Sequence, residues 1–360
     1  MKAPVFLTKA VHAAWLHKGL LSTLLLPLSW PVHAVIAWKH ARYRDRPDLA
    51  YHSRLPVVVV GNVYVGGTGK TPVVIALTLA LQQRGWHPGI VSRGYGVVIG
   101  EHPRIGQGSL DATQFGDEPA LIAQATQAPI AVHPDRSLAV KRLHKTHPDV
   151  DIVISDDGLQ HLALGRDLEV VVQDGRGIGN GRVMPAGPLR EPASRLAFVD
   201  FIITNLHPGQ AAPPRAASLA HQLSMYLKPV KLVQLTTGRE QDWPEWLAEH
   251  GIQAMSAVAA IGQPQRFFSM LTGAGIQLEN TVALPDHDTY ETSPFIAINS
   301  PHILITAKDA VKCHKFNDAR LWVVHASPVF SDPEWLDLAD QLLRIIAAKK
   351  TRVAGKAHKH

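Results

Sequence analysis

A run of four valines, Val57 to Val60, feeds directly into the segment GNVYVGGTGKTP, Gly61 to Pro72. Residue types in this order can build a phosphate cradle. Glycines let successive backbone N–H groups turn toward phosphate oxygens, and a helix that follows adds its positive N-terminal end. In such a cradle Gly66, Gly67, Thr68 and Gly69 line the anion, Lys70 reaches the terminal phosphates, and the Thr71 hydroxyl is offered to Mg²⁺. The spacing is a variant, because the common pattern places glycine where this chain has Tyr64. What remains resembles the form of the loop with paired glycines. A plain glycine turn behind a buried strand is the competing reading.

Carboxylates follow at two further strand ends. Asp151 to Asp157 reads as an apolar strand running into an acidic pair, and Asp156 or Asp157 there could hold Mg²⁺ between the β- and γ-phosphates. An ordinary helix cap is the alternative for such a pair. Gly116-Asp117-Glu118-Pro119 supplies a second acidic turn, in which Asp117 is placed to accept a hydroxyl proton or simply to cap a helix, with Glu118 beside it. Ser92-Arg93 in SRGYG offers a hydroxyl and a guanidinium near the same strand edge. Arg190-Glu191, in the turn-rich MPAGPLREP, offers a cation for transferring-phosphoryl charge or else a surface ion pair. His287, in PDHDTY, is one of 20 histidines and carries no weight by itself.

The elements that must position these residues alternate between strand and helix patterns, which predicts a largely parallel sheet with helices on both faces. Strands are expected at 56–60, 89–92, 129–132, 151–155, 168–173 and 201–204, with helices at 71–84, 118–127 and 136–145. A Pro-, Gly- and Ala-rich stretch from His207 to Pro214 reads as a linker. Behind it come strand patterns at 231–236, 257–261, 282–284, 302–306 and 321–325, a helix at 264–272 and a final helix near 332–347. The expected organisation is an N-terminal helical segment (1–54), a P-loop α/β domain (55–209), a smaller α/β domain completing a cleft (210–348) and a basic tail (349–360). Ligands in such sheets sit at the carboxyl ends of the strands, where each motif falls.

The 360 residues contain a single cysteine, Cys313, so an internal disulfide and a cysteine-built metal site are excluded. The net charge of +6 is concentrated: residues 1–54 hold eight Lys and Arg against Asp45 and Asp48, and the remainder balances to zero. Within that segment Gly19 to Trp38 is twenty residues without a formal charge, rich in leucine and accompanied by Trp15, Trp30 and Trp38. The length suits a bilayer span, and Lys39, Arg42, Arg44, Arg46 and Arg54 behind it suit a cytoplasmic flank. Pro27 and Pro31 oppose a straight helix, so a helix lying in the interface competes with one that spans. Lys18, Leu20–Leu28 and Val32-His33-Ala34 also follow the order of a cleavable signal, but export would part a nucleotide site from ATP.

Taken in order, GNVYVGGTGKTP, SRGYG, GDEP, SDDGLQH, MPAGPLREP and PDHDTY behind an N-terminal apolar helix resemble the tetraacyldisaccharide 4'-kinase family, the lipid A 4'-kinases. The resemblance is weakest in residues 210–280. It implies transfer of the ATP γ-phosphate to the 4'-hydroxyl of a tetraacylated glucosamine disaccharide 1-phosphate. It implies ATP and Mg²⁺, and attachment to the cytoplasmic face of a bacterial inner membrane. An anionic glycolipid and a membrane surface are then the partners, with no nucleic acid and no obligate protein partner expected. Residue by residue, Lys70 and Thr71 match the loop lysine and hydroxyl, Asp156 and Asp157 the metal-side pair, Asp117 the proton acceptor and His287 the histidine beside it. Arg190 and Glu191 match a pair near the phosphates, and Ala307 in TAKDAVK departs from an expected Glu. The rival function is a membrane-associated P-loop ATPase switch for protein targeting or metal insertion, which needs the loop but neither Asp117 nor His287.

Overall fold

In the computed structural model, residues 15–251, 253–286 and 288–357 are described, the side chains of the last four excepted. The N-terminal segment forms two helices, α1 (Leu20–Leu24) and α2 (Leu26–Asp45), with Pro27 in the first turn of α2 and Pro31 inside it. The uncharged stretch is thereby split. Among the described residues no helix is long and apolar enough to cross a membrane.

Strands β1 (Val57–Gly61), β2 (Pro88–Ser92), β3 (Arg104–Gly106), β4 (Ile130–Val132), β5 (Ile152–Asp156), β6 (Leu168–Asp174) and β7 (Phe201–Leu206) alternate with helices α3 (Lys70–Gln83), α4 (Ala112–Phe115), α5 (Asp117–Thr126) and α6 (Arg136–Thr146). There follow β8 (His221–Gln234), β9 (Glu240–Asp242), α7 (Trp243–His250), β10 (Met255–Ala259), α8 (Pro264–Gly273), β11 (Leu278–Ala283), β12 (His302–Thr306), α9 (Ala307–Cys313), β13 (Leu321–Phe330) and α10 (Trp335–Ala357). All thirteen strands join one sheet in the order β11-β10-β12-β13-β8-β7-β6-β1-β5-β2-β4-β3, with β9 against β8.

Each half of the sheet is parallel except at its margins, as helix-connected strands require. β1 lies between β5 and β6, and all five of its residues are buried, because a central parallel strand has helices over both faces. The sheet as a whole is mixed. β3 pairs antiparallel with β4, and the halves are joined by the antiparallel pair β8–β13. β8 is fourteen residues long: His221 to Tyr226 pair with β7, while Met225 to Gln234 pair with β13. The linker stretch 207–214 thus precedes a strand that still belongs to the first half of the sheet.

After crossing the second half, the chain returns. Trp335, Ala339 and Leu343 of α10 pack into the core that contains Val58, Val73, Leu77 and Phe201. The Trp335 ring meets those of Phe201 and Phe330 edge-on, at centroid distances of 5.6 and 5.2 Å. Cys313 is buried in the core of the second half. Because Trp335 is fully buried, Trp335→Ala is expected to lower the unfolding free energy by about 3–5 kcal/mol. A urea midpoint shift at unchanged slope checks this; a loss below about 1 kcal/mol would show that α10 is dispensable to that core.

Candidate active site

The cluster begins where β1 ends. Asn62 is fully buried, and its side chain donates from Nδ2 to the carbonyl oxygens of Tyr64 at 2.5 Å and Gly66 at 3.1 Å. Its Oδ1 accepts from Lys70 Nζ at 3.2 Å and from Arg190 Nη1 at 2.9 Å. The same two cations converge on Asp157 Oδ1, Arg190 at 2.9 Å and Lys70 at 3.5 Å. Two like charges sit side by side because an amide oxygen and a carboxylate separate them.

Arg190 is delivered by a local pairing with the loop. Its N–H donates to Val63 O at 2.7 Å, and Val65 N–H donates to Pro188 O at 2.9 Å. Gly66 and Gly69 hold φ of +95° and +92°, a region that L side chains avoid. A Cβ on Gly69 would lie 2.2 Å from the Asn205 amide, which itself donates to Thr68 O. Gly69 caps α3, so the first N–H groups of this fourteen-residue helix face the loop without intrahelical partners. Thr71 stands in the first turn of α3, and the buried Thr68 Oγ1 has no hydrogen-bond partner.

The two aspartates differ sharply. Asp156 ends β5, is buried, and accepts from Ser92 Oγ at 3.0 Å through Oδ2, while Oδ1 has no partner. Burial, reinforced by the charges of Glu118 and Asp157, pushes its carboxyl up to about 7. Asp157, at φ +47°, faces the cations; burial opposes its charge, but Lys70 and Arg190 outweigh it and hold the carboxyl below the usual range. Arg136 lies buried beneath, donating to Asp157 O at 3.0 Å.

A second group of charges comes from the other half of the sheet. Lys312 on α9 contacts Asp117 at 2.6 Å, and Lys308 contacts Glu118 at 3.3 Å and Asp286 at 3.7 Å. Burial would lower the Lys308 pKa, yet Glu118 and Asp286 overcome it and raise it. Gly262 also approaches, so that a Cβ there would lie 3.5 Å from Gly67 N. Ala307 leaves the start of α9 intact: Thr306 Oγ1 accepts from Asp309 N–H at 3.1 Å and donates to the Asp309 carboxylate at 2.6 Å.

Of the residues singled out in the sequence, Gly66 to Lys70, Arg190 and Asp157 meet at the end of β1. Ser92 and Asp156 pair beside them, and Asp117 and Glu118 face α9. Glu191 lies one layer back, bonded to Gln160 and His40. Arg93 is exposed at the end of β2, and among the described residues no ion pair ties it to the cluster. His287 lies outside the described residues. Asn62, Gln160, Lys308 and Lys312 were not singled out; only the TAKDAVK motif pointed toward the two lysines.

Among the described residues no group of three or more His, Cys, Asp or Glu is set to hold a metal ion. The unpartnered Asp156 Oδ1, with Glu118 and Asp157 nearby, is nevertheless the hard-oxygen environment that suits a cation sharing its other ligands with phosphates and water. The raised Asp156 pKa gives a prediction for the metal-free protein. The folded chain binds this proton more readily than the unfolded one, whose carboxyl titrates near 3.8. Its stabilising contribution is therefore full below about pH 4 and lost as pH rises through about 7. Urea titrations in EDTA should show that decline flattened in Asp156→Asn; an equal slope in both proteins would refute the assignment.

The geometry can be set beside known proteins. The family profile described as Tetraacyldisaccharide-1-P 4'-kinase matches residues 21–346. A relative from Bordetella parapertussis, named tetraacyldisaccharide 4'-kinase, is 52% identical over 96% of this chain and 99% of its own. One of the same name from Vibrio cholerae is 39% identical over 93% of this chain and 97% of its own. The solved structure of LpxK from Aquifex aeolicus in complex with ATP shares the fold, with a TM-score of 0.73 and 24% identity over 90% of this chain and 100% of that one.

Proposed function

This chain belongs to the tetraacyldisaccharide 4'-kinase family, and from that premise we propose that phosphoryl transfer is carried by the Asn62–Lys70–Arg190–Asp157 cluster, with Mg²⁺, at a membrane surface. The activity is ATP-dependent transfer of the γ-phosphoryl group to the 4'-hydroxyl of a tetraacylated glucosamine disaccharide 1-phosphate, forming lipid IVA in lipid A biosynthesis. The observation that carries the site reading is the convergence of Lys70 and Arg190 beside a P-loop of positive-φ glycines that opens a helix.

The acceptor oxygen forms a bond to the γ-phosphorus, the bond from that phosphorus to the bridging oxygen breaks, and ADP departs with the electron pair. Loop N–H groups and the start of α3 hold the phosphate oxygens. Lys70 and Arg190 neutralise charge on the transferring group, their positions set by Asn62 and Asp157. Thr71 with Asp156 or Asp157 would hold Mg²⁺, which would supply neutralisation of phosphate charge. Asp117, assisted by His287, receives the hydroxyl proton, and Lys312 orients its carboxylate. Ser92 bonds Asp156, Glu118 pairs with Lys308 beside Asp117, and Glu191 holds Gln160, while Arg93 lies exposed after β2.

The membrane reading rests on α1 and α2. Leu20, Leu24, Leu28, Trp30, Val35 and Trp38 are exposed, and Lys39, Arg42 and Arg44 follow them. That composition suits a helical pair lying in the interface on the cytoplasmic face of a bacterial inner membrane, where basic side chains meet anionic lipid. The glycolipid can then keep its acyl chains in the bilayer, avoiding an extraction cost of about 0.8 kcal/mol per CH₂.

Labelled γ-phosphate from Mg·ATP is expected to appear in tetraacyldisaccharide 1-phosphate in detergent micelles. Lys70→Ala and Asp117→Ala should each reduce the rate by at least about a hundredfold. Label released only as free phosphate, indifferent to lipid and to Asp117→Ala, would instead favour the ATPase switch.

A further inference from the structure

One polar network links the exposed N-terminal helix to the phosphate side of the site. His40, two residues beyond the exposed Trp38 of α2, lies 3.0 Å from Glu191 Oε2 through its Nε2. Glu191 is 2% exposed. Burial opposes its charge, yet donors from His40 and Gln160, with Arg195 nearby, hold its carboxyl below the usual range. Gln160 Nε2 donates both to Glu191 Oε1 at 2.8 Å and to the Asn62 carbonyl at 3.1 Å. Asn62 in turn holds the loop carbonyls, Lys70 and Arg190. Glu191 also directly follows Arg190 in the chain.

We infer that His40 is a positioning residue for phosphoryl transfer: its bond to Glu191, passed on through Gln160 and Asn62, holds Lys70 and Arg190 in place. The inference rests on the site reading given above. Arg195 Nε is 3.4 Å from Glu191 Oε2 but makes no hydrogen bond, so His40 is the hydrogen-bond partner of that oxygen among the described residues. A buried carboxylate deprived of it must draw in water or turn, and either movement displaces Gln160 from Asn62 and shifts the neighbouring Arg190. A displacement of about 1 Å at such groups costs up to about a hundredfold in rate.

The test compares His40→Ala, His40→Gln and Val32→Ala in the full chain, with Mg·ATP and tetraacyldisaccharide 1-phosphate in detergent micelles. Val32, about two turns before His40, packs α2 against the apolar core, so its loss loosens the helix without removing a polar partner. His40→Ala should lower kcat about tenfold or more with ATP KM within about threefold. His40→Gln, which keeps a donor, should recover most of the loss, and Val32→Ala should stay within about twofold at matched loss of thermal stability. Wild-type kcat in His40→Ala, or an equal fall in Val32→Ala, overturns the inference. Lys70→Ala run alongside separates the two readings, since undiminished transfer in that variant would remove the site itself.

Discussion

A single buried amide organises this site. Asn62 sits at the carboxyl end of a strand buried on both faces, where no water is at hand to satisfy its polar atoms. Its two N–H bonds must be spent on carbonyls, and those of Tyr64 and Gly66 fix the curl of the glycine-rich loop. Its oxygen must accept, and Lys70 and Arg190 are the donors that reach it. The shape of the loop and the spacing of the two cations thus follow from one side chain, held in place by β5 and β6 on either side of β1.

The neighbouring aspartates extend the same logic to charge. Asp157 takes the left-handed turn that points its carboxylate at Lys70 and Arg190, and it ionises against them. Asp156, one residue earlier, still belongs to β5, has Ser92 as its hydrogen-bond donor, and is buried with Glu118 and Asp157 as like-charged neighbours. Adjacent residues of the same type are given opposite tendencies by a change of direction in the backbone between them.

The parts of this arrangement that lie within one strand-to-helix turn were legible in the sequence. Valines ending in Gly-rich and Gly-Lys-Thr residues announce β1, the loop and α3, and the apolar run into Asp156-Asp157 announces β5, because local patterning and turn chemistry coincide there. The hub was not legible. Asn62 is one polar residue among ordinary loop residues, and its partners come from positions as distant as Arg190. Lys308 and Lys312 gain their acidic partners only when the sheet brings α9 against α5. The strand pattern of the long β8 is legible only from Lys231 onward, since Ser224, Lys228 and Pro229 dilute its first ten residues. The divided α1–α2 pair likewise depends on tertiary bonds: Ser22 Oγ donates to Ala186 O at 2.6 Å, and Ser29 Oγ to Val183 O at 2.9 Å.

Those last bonds explain why the exposed helices cannot be regarded as a detachable anchor. The segment they grip, residues 183–186, runs directly into Pro188 to Arg190, which pair with the first half of the glycine-rich loop. Helix, turn and loop are therefore three layers of one stack, the outermost apolar and exposed, the innermost lined with cations. On the opposite side the second half of the sheet closes on the same loop through Gly262 and on the acidic turn through Lys308 and Lys312. On the site proposed above, an acceptor hydroxyl would enter between these walls and meet groups fixed from both directions, the cations by the N-terminal stack and the carboxylates by α9. Precise placement of reacting groups is the principal contribution a protein makes to phosphoryl transfer, and here it is divided between two parts of the chain that meet only in the folded sheet.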